Sequence, residues 1–593
     1  MMTSSKLTSN TRMLSAAMLR LLPIQVLMLA VASLNSLISG WFAANYIGES
    51  AMSAVGIFSP VQMLIGAVGT VLAAGAAILC GEYAGMNEQK KLQSVFTVNI
   101  ASAASAGAVI GVMLFLLGSS GMTGFFTTDP LIKPAFDSYI RVMAAGVLPY
   151  MVMTQIPSYL IMDNRNRRAI AAGIAFALSN VVFNVIFVCV MRMGTAGLAL
   201  ASVLGAWVCL AVEAEYFIRG ASSVRFSLSS AEWKECPAMV KIGFPGGATY
   251  IYQSARGYIV NRLILMYAGS DGLAAFTAVN SFLIVFWAIP AGMLVVSRMM
   301  ISVSIGEEDR QTLTDVMRVM FGRFLPLQCA VSAVLCLAAV PLTNLFFHVP
   351  QDPVFMMTVW GFRLLPLCMP FSVIYLHFTC YYQASGREKF ANFLAVLDGA
   401  ADVVIVSLIL MPLMGMNGVY IANIANGVIT VALIFVFACV MNRRLPRNME
   451  ELMVIPDGFG AAPEDRMAFT VRTPSEIAGM AEEIQKFRTE RGTDERKAYA
   501  AGLAMEEIAE NIVEHGFARD SRDHSIDVRV VHRVDGITML IKDDCIAFDP
   551  LAMREIEEKQ RDEGKLGLRL IFGMAQDVQY QNILGLNILT IRI

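Results

Sequence analysis

Two aspartates four residues apart, Asp398 and Asp402, sit inside the otherwise apolar run A-V-L-D-G-A-A-D-V-V. On a helix that spacing puts both carboxylates on one face. Two like charges so close in a low dielectric resist full ionisation, so the pair is suited to holding a proton or sharing a metal cation. An ionisable residue inside a membrane span costs about 2.5–3.5 kcal/mol, which makes each one a functional candidate. Arg256, in S-A-R-G-Y-I-V-N-R-L, is a natural partner whose approach would eject the bound ion. Asn180 and Asn184 repeat the same spacing in an earlier apolar run, without charge. A third such pair, Glu507 and Asn511, lies in the charge-rich stretch M-E-E-I-A-E-N-I-V-E-H-G, ending on His515 and Gly516.

These residues require two kinds of scaffold. The chain has 593 residues, 56% apolar and 16% charged, whereas a soluble globular protein carries roughly 25% charged residues. Of its 92 Asp, Glu, Lys and Arg, 42 fall in the 129 residues from Asp465 to Ile593. A lipid-compatible body is thus joined to a short soluble tail. The body nets +4 and the tail −6, so no nucleic-acid partner is expected. The ten cysteines form no C-x-x-C and have no His at ligand spacing, so they read as small core residues.

A helix crossing about 30 Å of hydrocarbon needs roughly 20 apolar residues. Twelve runs qualify: 18–47, 54–82, 93–118, 134–162, 167–191, 195–218, 238–268, 274–303, 320–347, 355–383, 389–412 and 416–441. They are helices because backbone in lipid must satisfy its own hydrogen bonds. The expected organisation is a lead-in at 1–17, a six-helix half at 18–218, a connection at 219–237, a second half at 238–441, a Pro- and Gly-bearing linker at 442–464, and the tail at 465–593. The lead-in has no small-residue cleavage site and reads as uncleaved. Connections on the tail side carry twenty Lys and Arg against only Lys133 and Arg192 opposite. That bias places both termini in the cytoplasm of a plasma (inner) membrane protein.

The body repeats itself. Gly48 to Val55 is echoed by Gly269 to Phe276, Gly85 by Gly306, and Pro23 nearly in register by Pro245. Six spans per half is an even number, so the halves insert the same way up as parallel repeats, the build of an alternating-access carrier. The run I-G-E-S-A-M-S-A-V-G-I at 47–57, its echo at 268–278, K-I-G-F-P-G-G at 241–247 and the G-E-Y-A-G ending at Gly85 resemble the multidrug and toxic compound extrusion (MATE) family over about 18–441. The resemblance implies a secondary antiporter that exports small organic or cationic compounds against proton or sodium flow. It also implies acids in the first and fifth helices, where this chain has Ser39 and Asn184, so the coupling role passes to Asp398 and Asp402.

The tail alternates strand and helix patterns: strands near 467–471, 525–533, 537–542 and 586–593, and helices at 475–490, 494–516, 550–562 and 565–576. Its motifs resemble the GHKL ATP-binding fold of anti-sigma-factor serine kinases, a small α/β sandwich. By that resemblance Asn511 ligates Mg²⁺, Glu507 is the general base, His515 completes the box, Asp543 accepts the adenine amino group, and Gly564, Lys565 and Gly567 cradle the phosphates of ATP. Cys545 and Ala547 stand where the family has glycines. The leading reading is an exporter regulated by a nucleotide-binding tail. Two alternatives are a membrane-anchored signalling protein whose tail phosphorylates or sequesters a cytoplasmic regulatory partner, and a flippase for a lipid or polymer.

Overall fold

Every apolar run of the body becomes a helix, as its dry surroundings demand. The computed structural model describes residues 11–127, 129–220, 222–491, 495–517, 524–533, 536–546 and 575–592. The first half contains α1 (Thr11–Phe42, then a π turn Ala43–Ile47), α2 (Glu49–Gly85) and α3 (Gln89–Ser119). It continues with α4 (Ile132–Met153, extended by Ile156–Met162), α5 (Asn166–Asn184, then a π segment Val185–Val190) and α6 (Gly194–Ile218). In the second half Gly269 (φ 67°, ψ −163°) breaks the run Glu235–Phe286 into α7 (235–268) and the start of α8 (270–306). Then come α9 (310–343), α10 (353–384), α11 (Glu388–Val396 and Asp402–Met414 around a π segment Leu397–Ala401) and α12 (Met416–Asn442). Among the described residues, ten stretches are each long and apolar enough to cross a membrane, one of them the fused α7–α8 pair. Each of the twelve expected spans corresponds to one helix.

The repeat is visible in backbone angles. Gly48 (φ 111°) breaks α1 from α2 as Gly269 breaks α7 from α8, and Asn87 (φ 56°) and Glu308 (φ 53°) turn the loops after α2 and α8 through the left-handed region. The halves meet along a glycine seam. A Cβ on Gly75 would lie 1.9 Å from the Met239 carbonyl oxygen, and one on Gly243 1.8 Å from that of Val71. At the tail-side end, Gly85 would strike the Val303 carbonyl at 2.3 Å and Gly306 the Glu82 carbonyl at 2.0 Å. Only glycine lets two helix backbones approach so closely.

The tail is a five-stranded antiparallel sheet ordered β1-β2-β3-β5-β4. Its strands are β1 (Arg466–Val471), β2 (Ile526–Arg533), β3 (Gly536–Asp543), β4 (Asp577–Ile583) and β5 (Leu586–Arg592). Strand alternation divides the residues between two faces. Ile526, Val528, Val530, Met539, Ile541, Leu589 and Ile591 pack under α13 (Ile477–Thr489) and α14 (Glu495–Gly516). Asp527, Arg529, Lys542 and Ile588 point the other way, into the body. β4 was not expected from the sequence. The helix expected at 565–576 ends instead in non-helical Ala575 and Gln576, with β4 directly after, and the rest of it lies outside the described residues, as does the helix expected at 550–562. Polar Asp577, Gln579 and Gln581 on an edge strand give little alternation to read.

Gly243→Val should lower the melting temperature of the detergent-solubilised chain, since overpacking costs about 1–3 kcal/mol and here meets backbone. Gly257→Ala, whose Cβ meets nothing within 4 Å, should leave it unchanged. Equal melting of both variants would contradict the seam.

Candidate functional site

Midway along α11 the backbone widens into its π segment, and Asp398 lies within it while Asp402 opens the next turn. The Asp398 carboxylate accepts from Asn426 Nδ2 of α12 at 2.9 Å. Arg256 of α7 reaches this place, but donates to the Asp398 backbone carbonyl at 3.2 Å rather than to a carboxylate. Asp402 is buried, and its Oδ2 has no hydrogen-bond partner among the described residues. The repeat-related Asn180 and Asn184 of α5 are fully buried, Asn184 Nδ2 donating to Asn180 Oδ1 at 2.8 Å while Asn184 Oδ1 has no hydrogen-bond partner among the described residues. Asn180 donates in turn to Ser202 of α6 at 3.3 Å. His377 of α10 is buried between Ser297 Oγ at 2.7 Å and the Val373 carbonyl at 2.6 Å, within packed core.

In the tail, Glu507 and Asn511 follow each other by one turn of α14, and Asn511 Nδ2 donates to the Glu507 carbonyl at 2.7 Å. That leaves Asn511 Oδ1, the atom that ligates a hard cation, turned away from its own helix. Asp543 ends β3, buried, with Oδ1 accepting from Asn587 Nδ2 at 2.7 Å and from the Cys545 amide at 3.0 Å. Burial pushes its carboxyl up, and those two donors pull it partly back. These residues fit an adenine acceptor and a Mg²⁺ ligand. Cys545 fills the room next to the strand end, its thiol 2.9 Å from where a Cβ on Gly516 would stand. His515 lies in α14 with its side chain outside the described residues, as Gly564, Lys565 and Gly567 are altogether.

Sequence reasoning missed the densest cluster of charge in the molecule. Asp309 N-caps α9, accepting from the Thr312 amide at 3.0 Å, and it also pairs with Arg529 of β2. Arg529 bonds Asp527 as well, at 2.7 Å, while Lys542 of β3 bridges Glu307 at 2.5 Å and Asp309 at 3.1 Å. All five side chains are at most 9% exposed, so the ions are paired away from water. Burial works against the Asp309 carboxylate, but Arg529 and Lys542 beside it hold it below the usual range. Glu307 goes the other way, pushed up by burial despite Lys542. The available signal was charge at inward-alternating positions of two strands, with a complementary acidic cluster after α8.

Further contacts carry the tail across both halves. Gln581 of β4 donates to Asn87 in the loop after α2 at 2.5 Å. Gly460 (φ 70°) approaches the Glu308 carbonyl in the repeat-related loop. The β4–β5 turn, Leu584 and Gly585, lies against Asn164, and Leu584 and Leu586 join the buried cluster holding Met13 and Leu14 of α1. The linker is strapped down as well. Arg310 donates to Glu450 at 2.6 Å and to the Pro456 carbonyl at 3.0 Å, and Arg387 to the Met453 carbonyl at 3.1 Å.

Comparison with known families and structures agrees with this architecture. The family described as MatE matches residues 23–203 and 245–398, and that described as a histidine kinase-like ATPase domain matches 470–593. Among solved structures, a MATE protein in complex with MaL6 superposes with a TM-score of 0.67 at 19% identity, covering 72% of this chain and 97% of that one. An outward-facing multidrug resistance MATE family transporter of the MOP superfamily gives 0.67 at 19%, covering 73% and 97%. A mutant of the Vibrio cholerae MATE transporter VcmN gives 0.67 at 15%, covering 73% and 98%. No curated protein matches.

Removing one member of a buried ion pair costs about 3–5 kcal/mol, because its partner is left uncompensated. Arg529→Met should therefore loosen the tail and speed tryptic cleavage at Arg443, Arg444 and Arg447; unchanged cleavage would contradict the docking. Acid acts more gently. The docked pKa of Asp309 lies below its free value, so its support is complete above the ordinary aspartate value of about 3.9 and is lost only as pH falls below it. The raised Glu307 favours docking below the ordinary glutamate value, a support lost as pH rises through its raised one. Moving from about pH 7 to pH 5 should leave cleavage unchanged or slower.

Proposed function

The chain belongs to the MatE family, and from that membership we propose that it is a secondary active exporter of small organic or cationic compounds, driven by protons or sodium and regulated through its cytoplasmic ATP-binding tail. The Lys and Arg bias of the connections supports a plasma-membrane protein with both termini in the cytoplasm. The coupling ion binds at Asp398 and Asp402. Asp398 is oriented by Asn426, while Asp402 offers a buried carboxylate oxygen for a proton or a sodium ion. Arg256, already on the Asp398 backbone, is within reach to compete for the carboxylates when the half rearranges. Asn180 and Asn184 serve as a neutral counterpart that shapes the other half.

Regulation rests on one observation: the tail is fixed to repeat-related loops of both halves, at the end where Gly85 and Gly306 seal the seam. An alternating-access carrier must open that end to load from the cytoplasm. The docked tail therefore favours the state closed to the cytoplasm, and nucleotide adjusts how firmly it docks. Asn511 would hold Mg²⁺, which would supply charge neutralisation for the phosphates of ATP. Asp543 and Asn587 would read the adenine edge, and Glu507 is placed as the general base for any phosphoryl transfer.

In proteoliposomes, Asp402→Asn should abolish ion-driven efflux while insertion and folding remain normal. Unchanged efflux in the Asp398→Asn, Asp402→Asn double variant would sink the assignment. For the tail, ATP titration of the full chain should show saturable binding, weakened about tenfold to a hundredfold by Asp543→Asn or Asn511→Ala, as loss of a charge-assisted hydrogen bond requires. Absence of binding at millimolar ATP would leave the tail a protein-docking module.

A further inference from the structure

The residues just before β2 and just after β3 bring together three side chains of mixed donor type, His524, Asp544 and Cys545, with Cys545 against Gly516 of α14 and Asp544 lining the cavity toward α1. Their nitrogen, oxygen and sulfur donor atoms all lie within 4.8 Å of one another. His524 Nδ1 stands 3.1 Å from Asp544 Oδ1, about the separation of two ligands on one tetrahedral ion with bonds near 2.0–2.2 Å. His524 and Cys545 are buried at 6% and 7% exposure, and Asp544 is partly exposed. The Ser525 amide approaches the same Asp544 oxygen at 3.4 Å, an outer partner that orients the carboxylate.

The geometry points to a zinc-class divalent cation site at His524, Asp544 and Cys545, with a fourth coordination position open to the cavity between the tail and α1. A cavity of about 750 Å³ adjoins the cluster, lined by His524 and Asp544 from the tail and by Arg12, Arg20 and Arg472. It supplies the entry path. The arginines disfavour a bare cation in the cavity, but they favour an anionic fourth ligand once the ion is held by the thiolate and carboxylate. One imidazole, one carboxylate and one thiolate suit zinc better than calcium or magnesium, which take oxygen alone. Three protein ligands plus an open position distinguish such a site from a closed structural one. Binding releases the Cys545 thiol proton, so affinity falls on acidification.

Cys545 also carries the inference by its position. It occupies the place of a glycine in the resemblance to the ATP-binding fold, two residues after Asp543, so the residue that departs from that pattern is the one supplying the sulfur. The site borders the nucleotide assignment through Cys545, whose amide donates to Asp543 Oδ1 at 3.0 Å, while Asp544 lines the cavity toward α1.

Metal-stripped full-length protein in detergent should be titrated with Co²⁺ and then Zn²⁺. One equivalent of Co²⁺ should produce near-ultraviolet thiolate-to-cobalt absorption that Zn²⁺ abolishes. Cys545→Ser should lose that band, and Asp544→Asn, a change at the partly exposed ligand that keeps the fold, should weaken binding at least tenfold. Absence of a thiolate band, its persistence in Cys545→Ser, or unaltered affinity in Asp544→Asn would each overturn the site.

Discussion

The structure turns on charges that cannot be separated cheaply once they have left water. Asp309, Glu307, Asp527, Arg529 and Lys542 are buried together, and each acid or base is tolerable there only because its partners are present. A hydrophobic contact of the same area could slide or breathe; this cluster is either assembled or broken. Docking of the tail is thereby close to a two-state event. The back of the sheet, which would carry polar residues to solvent in a free domain, becomes an interface with one register. The linker is held beside it, with Arg310 donating to the Pro456 carbonyl and Arg387 to that of Met453.

That cluster sits at the tail-side end of the glycine seam along which the two halves of the body meet. Gly85 and Gly306 let α2 and α8 meet backbone to backbone, and the loops that follow them are the ones gripped by Gln581 and Gly460. Opening this end would require parting both contacts. Shifting a two-state equilibrium from 1:99 to 99:1 takes about 5.5 kcal/mol, and a buried ion pair that loses a partner costs about 3–5 kcal/mol. The second figure approaches the first, so under the proposed function docking of the tail would bias which way the carrier faces.

The body was legible because lipid leaves so few options. Apolar length gave the spans, and the glycine echoes at 48/269 and 85/306 gave the repeat, since those positions demand backbone freedom or close approach that no other residue supplies. The π segment at Leu397–Ala401 was not legible, and it loosens the simple one-face placement of Asp398 and Asp402. Nor did the sequence place Arg256 on a backbone carbonyl, because residue type specifies a donor and not its acceptor. In the tail, β2, β3 and β5 alternate clearly, whereas β4 hides behind Gln and Asn. His524 and Cys545 are brought together by antiparallel pairing of β2 with β3, a proximity that spacing along the chain does not reveal.

The repeat also gives the reason why the proposed function assigns ion chemistry to one half. The two halves hold polar pairs at corresponding places, Asn180 and Asn184 in α5 and Asp398 and Asp402 in α11. An amide is neutral and carries donor and acceptor together, so Asn184 donates to Asn180, and the Asn184 oxygen left without a partner among the described residues carries no charge to balance. Aspartates carry acceptors alone when ionised, and two of them cannot satisfy each other. With Asn426 donating to one and nothing among the described residues donating to the Asp402 oxygen, the pair is short of a positive charge. A proton or a small cation would relieve that shortage under the proposed function, whereas the neutral amides at the corresponding places of the first half create no such charge.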